Sequence, residues 1–230
     1  MIIGDFRDIL KNCYGKYDTV FIDPPYNIGL KYDGYNDNNK DYEQLIEDSI
    51  RISRQILTID GTLLIVQIPQ NEYITLKYLN KYGFNYRNHI RWHYTFGQSQ
   101  KTKFTPSHST IFYYTIGSPY FNSDSIRIYS DRELKYNDKR QNKLGKVPND
   151  IFVANSDVWK IARKVYNSDK HPTQLPAELI ERLILATTHP KGKICDFFAG
   201  IGTIENVAKQ LFYHCDSIDI YNYLGVNNGN

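Results

Sequence analysis

Short, β-branched apolar runs alternate with stretches of helical spacing from one end of the chain to the other. That is the pattern of a mostly parallel sheet covered by helices. Met1 to Ile3 and Asp18 to Ile22 are brief runs that close toward acidic residues, and both read as buried strands. Asp41-Tyr42-Glu43-Gln44 has the form of a capping box, and Leu45, Ile46, Ser49, Ile50, Ile56 and Leu57 follow at approximate helical spacing. Together they predict a helix to about Leu57 that Asp60-Gly61 brings to an end. Thr62 to Gln67 predicts the next buried strand, and Glu72 to Tyr82 a helix closed by Gly83. From Asn88 the period becomes two, with Ile90, Trp92, Tyr94 and Phe96 on one face and His89, Arg91, His93 and Thr95 on the other. With the run His108 to Ile116, this half-exposed strand predicts an antiparallel hairpin at a sheet edge. Residues 117–158 have weak periodicity and predict irregular structure. Pro176 to Thr188 predicts a helix, Ile194 to Asp196 a strand, about Ile204 to Phe212 a helix behind a glycine turn, and Ser217 to Ile220 a last strand.

A length of 230 residues suits one α/β domain, so a single domain over 1–230 is expected. The net charge of +3 is too small to imply nucleic acid by itself, and the arrangement of charge has to carry that argument. Cys13, Cys195 and Cys215 stand apart with no CxxC pair, which disfavours a disulfide framework and a structural zinc site and fits a reducing compartment. No apolar run approaches the roughly 18 residues needed to span a bilayer. The opening Met-Ile-Ile-Gly-Asp lacks the features of a signal peptide. The expectation is a soluble, cytoplasmic protein with no membrane partner and no metal.

Two turns carry chemistry. Asp23-Pro24-Pro25-Tyr26 stands at the carboxyl end of a predicted strand, where ligands of open α/β sheets bind. Two successive prolines fix the backbone and cannot donate, leaving a carbonyl free to accept a hydrogen bond. A carboxylate, that carbonyl and an aromatic ring suit an exocyclic amine: Asp23 and the Pro24 carbonyl each accept one N–H, and the Tyr26 ring stacks on the base. A bare proline turn with Tyr26 as packing is the plainer alternative. The second turn, Asp196-Phe197-Phe198-Ala199-Gly200-Ile201-Gly202-Thr203, again runs strand, glycine turn, helix. Glycines allow close approach of backbone to ligand, and the helix start adds oriented N–H donors. Where a dinucleotide fingerprint has its third glycine this chain has Glu205, whose charge opposes a pyrophosphate. S-adenosylmethionine carries no phosphate, and its sulfonium and amino groups tolerate carboxylates such as Asp196. Asp219, at the end of the last strand, is placed to bind ribose hydroxyls, or is a solvated surface acid.

Together these residues resemble the DNA amino-methyltransferase family in its β-class motif order. The resemblance spans Gly4-Asp5, Asp23 to Tyr26 with Asn27-Ile28, Arg91-Trp92-His93, Lys170-His171-Pro172-Thr173-Gln174, and Phe198 to Thr203. It implies a Rossmann-like S-adenosylmethionine-dependent methyltransferase fold, circularly permuted so that Met1 to Ile3 and Ser217 to Ile220 are neighbouring strands of the sheet. It implies catalytic roles for Asp23, Pro24, Pro25 and Tyr26. Cofactor contacts are implied for Phe198, Ala199, Gly200, Gly202 and Thr203, for His171, Thr173 and Gln174 at the methionine end, and for Asp5 near the adenine. The chain departs from the family's common residues at Phe197, Ile201, Ile204, Leu175 and Tyr221. The activity implied is methylation of adenine N6 in double-stranded DNA, as in restriction-modification, with a homodimer open as an assembly. Cytosine N4 methylation and a non-catalytic DNA-binding subunit of the same fold are the alternatives; Asp23 rather than serine favours adenine.

Between Arg127 and Lys146 there are seven basic residues against three acids. Basic loops supply phosphate contacts, so Arg127, Arg132, Lys139 and Arg140 are candidate DNA ligands within a target-recognition insertion at about 117–158. A solvated charged loop is the plainer alternative. Lys101 and Lys103, in the hairpin loop, are a second candidate, or else charges protecting an exposed edge.

Overall fold

The computed structural model describes residues 1–29, 31–32, 35–94, 100–129, 144–151 and 174–222. Its elements in chain order are β1 (Ile2–Ile3), α1 (Phe6–Ile9), β2 (Tyr17–Ile22), β3 (Lys31–Tyr32), β4 (Tyr35–Asn36), α2 (Tyr42–Ile56), β5 (Leu57–Gln67), a 3-10 turn (Pro69–Asn71), α3 (Glu72–Lys81), β6 (Asn85–His93), β7 (His108–Thr115), a second 3-10 turn (Asp124–Ile126), α4 (Ala177–Thr187), β8 (Lys193–Asp196), α5 (Thr203–Gln210) and β9 (His214–Asp219). Seven strands form one sheet in the order β1-β9-β8-β2-β5-β7-β6, and β3 and β4 pair separately. The first five run parallel, while β7 is antiparallel to both β5 and β6, giving the expected edge hairpin.

Side-chain alternation builds the two faces. In β2, Val20 and Ile22 join the core beneath α1, α2 and α3, while Phe21 between them joins the core beneath α4 and α5. Each helix turns one stripe inward: Leu45, Ile46, Ile50 and Ile56 of α2, and Leu179, Ile180, Leu183 and Ile184 of α4. Fully burying one such side chain stabilises the fold by about 1.5–3 kcal/mol before conformational entropy is counted. β1 pairs with β9 in parallel register, Ile2 with Ile218 and Ile3 with Asp219, so the strands nearest the two chain ends are neighbours.

Three local expectations are corrected. β1 is an edge strand rather than a buried one: Ile2 and Ile3 are 42% and 50% exposed, because two residues at the rim have a partner on one side alone. α2 begins at Tyr42 as expected, yet the Asp41 side chain caps nothing. The Asp41 N–H instead donates to Asn39 Oδ1 at 2.8 Å, and Glu43 reaches across to Lys77 and Tyr78 of α3. The helix ends at Ile56, as expected, but Asp60-Gly61 is not what stops it. Leu57 turns extended to pair with Tyr17, and Asp60-Gly61 lies inside β5, beside the register shift between Tyr17 and Thr19. There Asp60 Oδ1 accepts the Ser118 N–H at 2.7 Å, a tie to the far end of the hairpin that its turn-forming composition concealed.

Candidate active site

β2 and β8 lie side by side, Phe21 opposite Asp196, so the turns that follow them leave the same end of the sheet. Both open on one cavity of about 350 Å³. Asp23, Pro24, Pro25 and Tyr26 line it from one side, and Phe198, Ala199, Gly200 and Thr203 from the other; Asp5, Gln174 and Asp219 complete the sequence-derived set within it. Asp196 and Gly202 stand behind that lining. His171 and Thr173 lie outside the described residues.

The first turn is held in place by side chains. The Tyr26 hydroxyl donates to Asp23 Oδ1 at 2.8 Å, and its ring, 4% exposed, forms part of the cavity wall. Asn27 adopts a left-handed backbone, φ +55, which asparagine tolerates better than most residues. Its Oδ1 accepts the Asn39 N–H at 2.8 Å, and the Ile28 N–H donates to buried Asp37 Oδ2 at 3.0 Å. The segment leading into α2 is thereby fastened across the turn, which brings Asn38, Asn39 and Lys40 to the cavity. On the inner side, Asn71 Nδ2 donates to the Tyr26 carbonyl at 2.7 Å.

The second turn is a backbone cradle. Gly200 and Gly202 have φ +53 and +79, conformations in which a Cβ is strained. The Gly200 N–H donates to Asp219 Oδ2 at 2.7 Å and the Tyr221 N–H to Asp219 Oδ1 at 2.9 Å, locking the end of β9 against the turn. Burial pushes the Asp219 carboxyl above its ordinary range, and those N–H donors pull it back. Gln174 Nε2 donates to Thr203 Oγ1 at 3.0 Å, bringing the segment leading into α4 to the first residue of α5. Asp196 is fully buried; its Oδ1 accepts the Phe198 N–H at 3.2 Å, and among the described residues its Oδ2 meets no partner. Burial therefore raises its pKa well above the carboxylate range. Asp5 caps α1 and is gripped by Arg7, whose hydrogen bonds hold its carboxyl below the ordinary value. Phe197 stacks on Phe6 at 4.8 Å, fixing Asp5's helix to the cradle.

Tyr221, where the chain departs from the family's common residue, also lines the cavity, as do Arg7, Asn39, Lys40 and Ile220, which escaped sequence reasoning since no motif or period marks them. Of the basic candidates, Lys101 and Lys103 are exposed in the hairpin loop. Arg127 is engaged locally: its Nε donates to Asp124 Oδ1 at 2.7 Å and its Nη1 to the Gly145 carbonyl at 3.0 Å, beside a bridge between Ile128 and Lys146. Arg132, Lys139 and Arg140 lie outside the described residues. Among the described residues no group of His, Cys, Asp and Glu is arranged to hold a metal, and no helix is long and apolar enough to cross a membrane.

A family model described as DNA methylase matches residues 17–225. The type II methyltransferase M.HpaI of Haemophilus parainfluenzae is 31% identical over 212 residues, which are 88% of this chain and 64% of that enzyme, so the chain spans a little under two thirds of this relative's length. Among solved structures, the PvuII DNA methyltransferase, cytosine-N4-specific, superimposes with a TM-score of 0.71 at 16% identity over 99% of this chain and 86% of that one. The M1.HpyAVI-SAM complex does so with a TM-score of 0.63 at 18% identity over 96% and 92%.

Proposed function

The chain belongs to the N6/N4 DNA methylase family, and from that membership we propose that it methylates the N6 amine of adenine in double-stranded DNA, using S-adenosylmethionine. The observation that carries the reading is the shared cavity: an amine-accepting turn and a glycine cradle, 173 positions apart between Asp23 and Asp196, meet at one end of two adjacent strands.

The lining suits S-adenosylmethionine better than a phosphate-bearing cofactor. Among the described residues, Asp5, Asp23 and Asp219 give it three carboxylates against two cations, Lys40 and Arg7, the latter paired with Asp5. Such a wall favours a cationic ligand and repels a pyrophosphate. The family relationship and the M1.HpyAVI-SAM complex support the same choice. When bound, S-adenosylmethionine supplies an electrophilic methyl carbon on a sulfonium.

The protein's own residues then hold the acceptor. A base rotated out of the duplex costs a few kcal/mol of stacking and pairing and enters beside Tyr26. Asp23 and the Pro24 carbonyl accept the two N–H bonds of its amine, which aims the nitrogen lone pair outward. The Tyr26 carbonyl is taken by Asn71, so it does not compete. Asp23, fixed before the substrate arrives, stabilises positive charge developing on the nitrogen. Gln174 and Thr203, with His171 and Thr173 of the same motif, are assigned to the methionine end, Asp219 to the ribose and Asp5 to the adenine. Asp196 acts from behind, orienting the Phe198 N–H. The segment of about 117–158 serves as the target-recognition insertion, with Lys101 and Lys103 of the hairpin loop as further phosphate contacts.

Asp23, rather than serine at that position, favours adenine N6 over cytosine N4. The likeness to the PvuII enzyme reflects fold alone and does not bear on the base. Incubation with labelled S-adenosylmethionine and unmodified genomic DNA, followed by nucleoside analysis, tests the reading. N6-methyladenine is the expected product, N4-methylcytosine would replace the base assignment, and bound S-adenosylmethionine without transfer would favour a non-catalytic subunit.

A further inference from the structure

Three polar side chains from separate elements meet beneath the Tyr26 turn. Gln67, the last residue of β5, is fully buried; its Nε2 donates to the Tyr42 hydroxyl at 2.9 Å, and its Oε1 accepts the Ile68 N–H at 3.0 Å. Tyr42, the first residue of α2, is 4% exposed. Asn71 ends the 3-10 turn that follows β5, and its Nδ2 donates both to the Tyr42 hydroxyl at 3.3 Å and to the Tyr26 carbonyl at 2.7 Å. The chemistry fixes the orientation of the Asn71 amide, because a carbonyl can only accept and the opposite flip would set two oxygens together.

The contact falls on a peptide that needs restraint. The Tyr26–Asn27 peptide joins the last residue of the amine-accepting turn to a residue in the left-handed region, a conformation that surrounding structure must hold. If that peptide is released, the Tyr26 carbonyl leaves the core and the backbone on both sides of the Tyr26 Cα loses its restraint, so the hydroxyl that orients Asp23 is held less firmly. Buried amide and hydroxyl groups at fixed positions on β5 and α2 are suited to resist this, since leaving any one unpaired costs its full desolvation.

We propose that Asn71, braced by Tyr42 and Gln67, is a positioning residue for methyl transfer, locking the Tyr26–Asn27 peptide so that Asp23 and Tyr26 stand ready for the amine. The proposal rests on the methyltransferase reading above. Burial pushes the Tyr42 hydroxyl up to about 12, so it stays neutral at working pH and the brace does not titrate. Asn71 does not line the cavity, which separates its role from that of a ligand contact.

Asn71→Asp keeps the shape and replaces the donor by an oxygen. Steady-state methylation of unmodified genomic DNA, calorimetric titration with S-adenosylmethionine and thermal unfolding are measured on wild type, Asn71→Asp, Asn71→Ala and Tyr42→Phe. Both Asn71 variants are expected to lower kcat about 10- to 100-fold, the scale of a small misplacement of reacting groups. S-adenosylmethionine affinity should stay at the wild-type value in both and the pH profile of kcat in Asn71→Ala, whereas Asn71→Asp should regain activity toward low pH, where its protonated carboxyl donates to the Tyr26 carbonyl. Tyr42→Phe, which keeps the Asn71 donor but removes its brace, should lower kcat less. Wild-type kcat in Asn71→Ala, or a loss of activity that only follows the fraction of folded protein, overturns the proposal. Should both Asn71 variants fail to fold, Tyr42→Phe decides: reduced kcat with intact cofactor affinity supports the brace, and unchanged kcat overturns it. A wild-type protein that binds the cofactor yet transfers no methyl overturns the enzymatic reading itself, and the proposal with it.

Discussion

The Tyr26 hydroxyl donates a 2.8 Å hydrogen bond to Asp23 Oδ1, so the aromatic residue expected to stack on a base also orients the carboxylate expected to bind its amine. The sequence argument gave Tyr26 a ring and no hydroxyl function, and on that basis phenylalanine would serve as well. The structure changes the expectation. Tyr26→Phe is expected to lower kcat by about tenfold through loss of orientation, and Tyr26→Ala to lose a further 1–3 kcal/mol of stacking, about. Steady-state kinetics on the two variants separate the roles; a fully active phenylalanine variant would assign the residue to stacking alone.

Asp23 itself should be dispensable for cofactor binding and needed for turnover. Asp23→Ala is expected to reduce kcat by about 10² or more, the effect of removing one preorganised electrostatic group. S-adenosylmethionine affinity should persist but for the loss of one lining carboxylate, because the cradle itself belongs to β8, α5 and β9. Parallel calorimetry and methyl-transfer assays check this, and wild-type turnover in the variant would remove Asp23 from the chemistry.

The two cradle glycines should differ. At Gly202 a Cβ would meet Met1 Cε at 3.6 Å, an ordinary contact, so Gly202→Ala should cost only backbone strain of about 1–2 kcal/mol. Gly200 lines the cavity and donates to Asp219, so Gly200→Ala should weaken S-adenosylmethionine binding as well as stability. Thermal unfolding with calorimetry distinguishes them; equal loss of affinity in both variants would show that both face the ligand.

Burial of Asp196 predicts a pH dependence of the ligand-free protein. Its folded pKa is raised, so with rising pH the unfolded chain releases this proton first and the folded state then holds one more. The contribution of Asp196 is therefore present below the unfolded carboxylate value and is lost as pH climbs toward the raised folded value. Asp196→Asn imitates the protonated acid, keeps the acceptor for the Phe198 N–H, and should flatten that part of the curve. Unfolding midpoints measured upward from acidic pH test it, and identical slopes for both proteins would mean that Asp196 is ionised in the fold.

The exposed and the engaged cations should respond differently to DNA. If Lys101 and Lys103 touch phosphates, replacing both by alanine should make the slope of log K against log salt shallower by about 2. Arg127→Ala should leave that slope unchanged, because its guanidinium already serves Asp124 and the Gly145 carbonyl. Binding isotherms across a salt series decide between these outcomes.

The sequence by itself determined the layered α/β fold and the edge hairpin, because alternation and helical spacing record which side of each element meets the core; the neighbouring terminal strands were implied by the resemblance to the methyltransferase family. The sequence also located the two turns, since proline and glycine act on backbone angles within a few residues. Contacts between distant segments leave no such local trace. Asn71 beneath Tyr26, Asn39 on Asn27 and Gly200 on Asp219 each join residues whose spacing follows no period. Nor could composition tell that Asn39, rather than Gln44, takes the Asp41 N–H, or that Asp60-Gly61 belongs to a strand, which depends on Tyr17 and Ser118. Local preference is a fraction of a kcal/mol to about 1 kcal/mol per residue, and pairing across a sheet or burying a polar group outweighs it. Which groups face the cavity, and in what state of engagement, was therefore decided by packing.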